Sequence, residues 1–207
     1  MINDVTGILL AGGKSRRMGE DKRQLLLGQR SLFDRGLEVL RSLFSTVYVV
    51  LGQDSPPLAI ETPVIRDLVP DCGTLGGLYT GLQQAATEHV FVAACDMPFL
   101  NPIVIRFMAG FRREADIVVA RHNQKLQPTH ALYGKHCLPE LESMVQSHQV
   151  KIQGLVANPK LRVRLITESE LNGIDQAWRS FLNINTPSDF EAVRRLVEDS
   201  PDLSRPR

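Results

Sequence analysis

The sequence predicts an α/β domain with a mostly parallel central sheet and helices on both faces, and three observations carry that expectation. Apolar runs recur at residues 8–10, 46–51, 89–95 and 116–120, each too short for a helix and without the polar alternation of a half-exposed strand. Between several of them lie segments whose apolar residues return every three or four positions, the period of an amphipathic helix. The first three runs, and a shorter one at 64–65, close on glycine or aspartate, at Gly12, Gly52, Asp96 and Asp67. In an open parallel sheet such residues gather beyond the carboxyl ends of the strands, where ligands bind. At 207 residues the chain fits one domain, taken as 1–198. Residues 199–207, with two prolines and alternating charge, read as a frayed tail.

The first strand breaks abruptly after Leu10 and Ala11 into Gly12-Gly13 and then five cations, Lys14, Arg16, Arg17, Lys22 and Arg23, opposed only by Glu20 and Asp21. Glycines allow backbone N–H groups to approach an anion closely, so the stretch reads as a phosphate site. Its spacing is neither that of a P-loop, since five residues rather than four separate Gly13 from Gly19 and Glu20 follows, nor G-x-G-x-x-G. Ser31 is placed to cap a helix that runs to about residue 43, with Leu32, Phe33, Leu37, Leu40 and Phe44 on its buried face. Residues 46–51 form the second strand, and a short third at 64–65 closes on Asp67.

Residues 71–82 hold Gly73, Gly76 and Gly77 ahead of a helix expected to reach about residue 86. A glycine-rich turn at a helix start presents N–H groups and the positive end of the dipole. Residues 89–95 are the central strand, ending at Asp96. A carboxylate just past a buried strand is costly unless a cation compensates, and Mg²⁺ favours one or two carboxylates together with substrate phosphates. Asn101-Pro102 opens a helix to about 113, followed by a strand at 116–120 and a polar loop at 121–125. Helices are expected at 136–147 and 150–158, with a strand at 161–166. Asn183 and Asn185 alternate with apolar neighbours, so they share one face if the segment is a strand. An Asx-type turn before a helix capped by Thr186 or Ser188 is the other reading.

Composition excludes several roles. A net charge of +1 does not suit a general nucleic-acid binder, and no apolar stretch approaches the roughly 20 residues that cross a bilayer. With no signal-peptide pattern, the expected compartment is the cytoplasm. Cys72, Cys95 and Cys137 lack C-x-x-C spacing, which suggests idle thiols rather than a disulfide framework or zinc site. His122 and His130 could be read as general bases, but a phosphate acceptor is already ionised near neutral pH and needs none.

The pattern L-A-G-G-x-x-x-R-M-G-x-D-K resembles the signature of nucleotidyltransferases, and the Gly12-Gly13 pair resembles the molybdenum cofactor guanylyltransferases among them. CTP-using relatives more often carry Ala at the first of these positions. Three further segments match in order: G-x-L-x-G-L at 73–78, with Thr74 for the usual Pro and Gly76 for the usual Ala; C-D-x-P at 95–98; and N-x-N-T-P at 183–187. Residues 127–133 resemble the family strand beside the acceptor site.

The resemblance implies a Rossmann-like three-layer fold of the nucleotide-diphospho-sugar transferase type, spanning about residues 7–197. It implies attack by the terminal phosphate of molybdenum-molybdopterin on the α-phosphate of GTP, giving molybdopterin guanine dinucleotide and pyrophosphate. Implied roles are Arg17 and the N–H groups of Gly12 and Gly13 on the triphosphate, and Lys22 on the α-phosphate. Asp96 would hold Mg²⁺, with Asn183 and Asn185 near the metal and reacting phosphates. Leu10 and Ala11 would line the pocket by their backbones, Asp67 would select guanine or fix the ribose side, and Gly76 and Gly77 would belong to the base and ribose loop. Lys14, Arg16 and Arg23 are then expected to be solvated. At the family's asparagine after the second strand stand only Val50, Leu51 and Gly52. The alternatives are a CTP-dependent molybdopterin cytidylyltransferase, a sugar-phosphate nucleotidyltransferase, or a non-catalytic module that delivers cofactor to molybdoenzymes.

Overall fold

The computed structural model describes residues 1–12, 21–175 and 178–199. Nine strands are present among them: β1 (Ile2–Leu10), β2 (Leu26–Leu27), β3 (Arg30–Ser31), β4 (Phe44–Leu51), β5 (Val64–Arg66), β6 (His89–Ala94), β7 (Ile117–His122), β8 (Lys125–Gly134) and β9 (Val163–Ile166). The helices are α1 (Leu32–Leu43), α2 (Gly73–Gln84), α3 (Pro102–Gly110), α4 (Leu138–Gln146), α5 (Gln153–Val156), α6 (Glu168–Leu171) and α7 (Pro187–Asp199). Seven strands form one sheet in the order β5-β4-β1-β6-β8-β7-β9, and β2 pairs with β3 in a small hairpin. The pairs β5·β4, β4·β1, β1·β6 and β7·β9 are parallel, while β8 runs antiparallel to both β6 and β7. The expected α/β architecture with a mostly parallel sheet is therefore the observed one.

Strand alternation sends neighbouring residues to opposite faces, and each face is covered. Leu9, Val49, Phe91 and Val118 pack under α1 and α3, whereas Ile8, Val50, Val92 and Val119 pack against α2 and α4. All but Val50 are completely buried, and Val50 is 2% exposed. Burial at roughly 1.5–3 kcal/mol per large apolar side chain makes these two layers the main support of the sheet. Helix starts follow local chemistry. The Ser31 hydroxyl accepts from the Asp34 N–H at 3.0 Å, and the Asn101 side chain accepts from the Ile103 N–H at 2.9 Å with Pro102 next in line.

Four local expectations need correction. Residues 121–125 are not a loop: Arg121 and His122 continue β7, Lys125 already belongs to β8, and a two-residue turn at Asn123 and Gln124 joins them with φ of 47° and 61°. Both central residues lie in the left-handed region, as such tight hairpins require. α3 stops at Gly110. Asn183 and Asn185 are not in a strand but in an extended segment leading into α7, where the Thr186 hydroxyl accepts from the Asp189 N–H at 3.2 Å. Gly76 and Gly77 do not precede α2 but lie inside its first half.

That last difference has a steric cause. A glycine in a helix interior is about 1 kcal/mol less favourable than alanine, so something must require it. A Cβ at Gly77 would lie 2.9 Å from Leu10 Cδ2, and one at Gly76 would lie 2.9 Å from both Asp67 Oδ2 and Val69 O. The two glycines let α2 settle directly on the ends of β1 and β5.

Gly12 performs the same service between strands. A Cβ there would stand 2.3 Å from Gly52 N and 2.9 Å from Leu51 C, which are backbone atoms that no side-chain rotation can relieve. Gly12→Ala should therefore cost about 1–3 kcal/mol of stability through overpacking. A lowered urea midpoint at unchanged slope would report it; an unchanged midpoint would show that the strand ends can part freely.

Candidate active site

The carboxyl ends of β1, β4, β5 and β6 open into a cleft of about 860 Å³. The chain leaves β1 toward β4 and β5 on one side and later returns through β6 on the other. This divergence is the crevice that open parallel sheets offer to ligands. Leu10, Ala11 and Gly12 form its floor. The Leu10 carbonyl accepts from Cys95 N–H at 3.0 Å, and Ala11 N–H donates to Val50 O at 2.9 Å, so the floor is locked to both neighbouring strands.

One end of the cleft is built around Asp67. Its carboxylate accepts from the Val69 N–H and the Thr80 hydroxyl, each at 3.0 Å, and its carbonyl accepts from the Gln53 amide at 3.1 Å. Burial pushes the Asp67 pKa up, and the two hydrogen bonds to the carboxylate oppose that shift. Gly77, Thr74 and Asp71 line the same end. Gly76 is buried behind Asp67 and is not among the cleft-lining residues.

The opposite end gathers charge. A 3₁₀ turn, Lys22–Gln24, is capped by Asp21 and sets Lys22 facing Asp96. Lys22 Nζ lies 3.1 Å from Asp96 Oδ2 and donates to Asn185 Oδ1 at 3.2 Å. Three residues from three distant parts of the chain thus meet at one ammonium. Asp96 sits just past β6, and its carbonyl accepts from the Ile184 N–H at 2.9 Å, which holds the asparagine segment against the site. Its Oδ1 is buried with no hydrogen-bond partner among the described residues. A carboxylate with an orphaned oxygen, on a residue that lines the cleft, suits a cation. No group of three or more His, Cys, Asp or Glu side chains that could cage a metal occurs among the described residues, so a divalent ion here would draw its remaining ligands from substrate phosphates and water, as Mg²⁺ does.

The structure brings together Lys22, Asp96 and Asn185, with Leu10, Ala11, Gly12, Asp67 and Gly77 along the cleft. Asn183 stands apart, its amide donating to Phe181 O at 3.0 Å. Gly13 and Arg17, like Lys14 and Arg16, lie outside the described residues. Neither histidine lines the cleft. His130 is fully buried between Phe91 and Phe181, its pKa pushed down to about 4 by that burial, so it is neutral at pH 7. His122 stacks on Trp178 with ring centroids 4.5 Å apart.

Sequence reasoning missed Gln53 and Ser55 as cleft residues, whereas Thr129 lies in the 127–133 segment that the resemblance set beside the acceptor site. Thr129 arrives only because β8 runs antiparallel to β6, with Ala93 opposite His130; no local pattern announces that register. It also misplaced Arg23. The Arg23 side chain is 10% exposed and paired with Asp21 at 2.5 Å rather than solvated.

Comparison with known proteins places the cleft in context. The family model described as a MobA-like NTP transferase domain matches residues 7–163. A molybdenum cofactor guanylyltransferase of Desulfosudis oleivorans is 33% identical over 94% of this chain and 96% of its own length. One from Syntrophotalea carbinolica is 34% identical over 92% and 90%. The crystal structure of the molybdopterin-guanine dinucleotide biosynthesis protein A of Archaeoglobus fulgidus superposes with a TM-score of 0.81 at 25% identity, covering 94% of this chain and 99% of that one. A Mycobacterium tuberculosis protein crystallised with manganese shares the fold, with a TM-score of 0.66 at 18% identity over 93% and 98% of the two chains.

Proposed function

The chain belongs to the MobA-like NTP transferase family, among the molybdenum cofactor guanylyltransferases, and we propose that its cleft moves GMP from GTP onto the terminal phosphate of molybdenum-molybdopterin. An acceptor phosphate oxygen attacks the α-phosphorus, the bond to the β-phosphate breaks, and pyrophosphate leaves. The product is the guanine dinucleotide form of the cofactor. The single observation that carries the chemistry is the meeting of Lys22, Asp96 and Asn185 at one end of the cleft.

Phosphoryl transfer asks little covalent work of a protein, so positioning and charge stabilisation dominate. The Asp67 end, lined by Gly77 and the 52–55 wall, receives the nucleoside. The triphosphate then points toward Lys22. Lys22 turns from Asp96 to the α-phosphoryl oxygens, where negative charge accumulates during transfer. Its departure uncovers Asp96 Oδ2 beside the already orphaned Oδ1. The Asp96 carboxylate would hold a divalent cation, which we read as Mg²⁺ and which would supply charge neutralisation at the phosphates. Asn185 keeps the exchange local, since its amide oxygen faces the same ammonium. The acceptor is read as entering beside Thr129 on β8, and the product as passing to recipient molybdoenzymes.

GTP should bind with at least about a tenfold preference over CTP and ATP, because base-edge hydrogen bonds leave site groups unpaired with the wrong base. Calorimetric titration of the three nucleotides checks this; equal affinities for GTP and CTP would move the enzyme to the cytidylyl reading. Pyrophosphate release that requires both molybdopterin and a divalent cation separates the enzyme from a delivery module, which would bind GTP without cleaving it.

A further inference from the structure

Arg23 and its neighbour Asp21 form a unit that the reaction as described does not use. Asp21 accepts from Arg23 Nε at 2.9 Å through both oxygens and from Nη2 at 2.5 Å, and it also accepts from the Arg23 backbone N–H at 3.0 Å. The carboxylate therefore occupies one edge of the guanidinium and fixes its plane. The guanidinium in turn holds the Asp21 pKa down. The other edge is different. Nη1 is buried and has no hydrogen-bond partner among the described residues.

A cation that is 10% exposed, aimed by a local carboxylate and left with one unpaired nitrogen, is not explained by the turn it sits in. The pair with Asp21 closes within three residues and asks nothing of the rest of the fold. Buried unpaired donors are uncommon because they lose water without a replacement, and a charged donor loses more. Arg23 also lines the cleft with Lys22, Asp96 and Cys95. Asp21 lines the same cleft. Among Asp21, Lys22, Arg23 and Asp96 two cations face two carboxylates. Asp21 is tied to Arg23 by bidentate contact, and Asp96 to Lys22.

We infer that Arg23 is a phosphate-contacting residue of this site: Nη1 donates to an anionic phosphoryl oxygen, and Asp21 is the positioning residue that aims it. The inference rests on the guanylyl-transfer reading. The oxygen belongs either to the GTP triphosphate or to the acceptor's terminal phosphate, and the two sources give different kinetics.

The test compares full-length wild type with Arg23→Gln, Arg23→Lys and Asp21→Asn, using the GTP dissociation constant by calorimetry, the KM for molybdopterin, and the urea midpoint. Arg30→Gln serves as a charge control, since Arg30 is exposed, pairs with Glu38 and does not line the cleft. Arg23→Gln should weaken one of the two binding constants on the order of tenfold or more, the scale of a lost charged hydrogen bond. A weakened GTP constant assigns the contact to the triphosphate, and a raised molybdopterin KM alone assigns it to the acceptor. Arg23→Lys should recover only part, because an ammonium keeps the charge without the fork. Asp21→Asn should fall between, with the guanidinium present but no longer aimed. If both constants stay at wild-type values in Arg23→Gln while the urea midpoint falls, the pair merely holds the turn and the inference is overturned. Should Arg23→Gln not fold, wild-type constants in Arg23→Lys overturn it equally. A wild type without affinity for GTP overturns the guanylyl-transfer reading itself, and that result needs no variant.

Discussion

Asp96→Asn is expected to lower turnover on the order of 10²-fold or more, the range for losing one transition-state electrostatic contact. The substitution keeps the volume and still offers Lys22 an amide oxygen. The fold should survive, because the link from Ile184 N–H goes to the Asp96 backbone carbonyl and not to its side chain. What disappears is the negative charge whose Oδ1 now stands unpaired in the cleft. A divalent ion would then meet a neutral ligand, so the affinity for Mn²⁺ or Mg²⁺ in the presence of GTP should fall together with kcat. Raising the metal concentration should recover part of the turnover. Steady-state rates across a metal titration, with a urea midpoint as a check on folding, decide the matter. Near-normal turnover at ordinary Mg²⁺ would sink the assignment of Asp96 as the metal ligand.

Much of the architecture could be read directly because its causes are local. Apolar runs become buried parallel strands whatever surrounds them, and Ser31, Asn101 and Thr186 cap helices through bonds to residues two or three positions away. Asp67 and Asp96 stood out because a carboxylate ending an apolar strand has no packing reason to be there. The misreadings share an opposite cause, since each turned on a contact that appears only once the chain is folded, whether its partner is near or far in sequence. Gly76 and Gly77 read as part of a turn at a helix start, but their absent Cβ atoms answer to Asp67, Val69 and Leu10. The asparagine segment alternates like a strand, yet it finds its hydrogen bond at Asp96 rather than along a sheet edge. Arg23 looked like one solvated charge among five, and only the folded turn shows Asp21 folded back on it.

Lys22→Ala should separate catalysis from binding and, at the same time, reveal an exchange between two cations. The Lys22 ammonium sits 3.1 Å from Asp96 Oδ2, on the carboxylate that a metal ion would need. Both side chains are largely shielded, at 16% and 20% exposure, so screening by salt weakens this pair less than a surface ion pair. Removing the ammonium frees the carboxylate, and the nucleotide-free variant should bind Mn²⁺ more tightly than wild type even as its activity falls. Turnover falls because no cation follows the charge that grows on the α-phosphoryl oxygens. A contact that strengthens toward the transition state lowers kcat more than it weakens GTP binding, and the loss should again be on the order of 10²-fold. A cation that only adds to the positive field of the loop behaves in the other way, changing binding modestly and losing its effect at high salt. The deciding measurements are kcat and the GTP dissociation constant at two salt concentrations, together with a Mn²⁺ titration of the nucleotide-free protein. If Lys22→Ala raises only KM, if high salt erases its difference from wild type, and if Mn²⁺ binding is unchanged, then Lys22 neither meets the α-phosphate nor competes with the metal for Asp96.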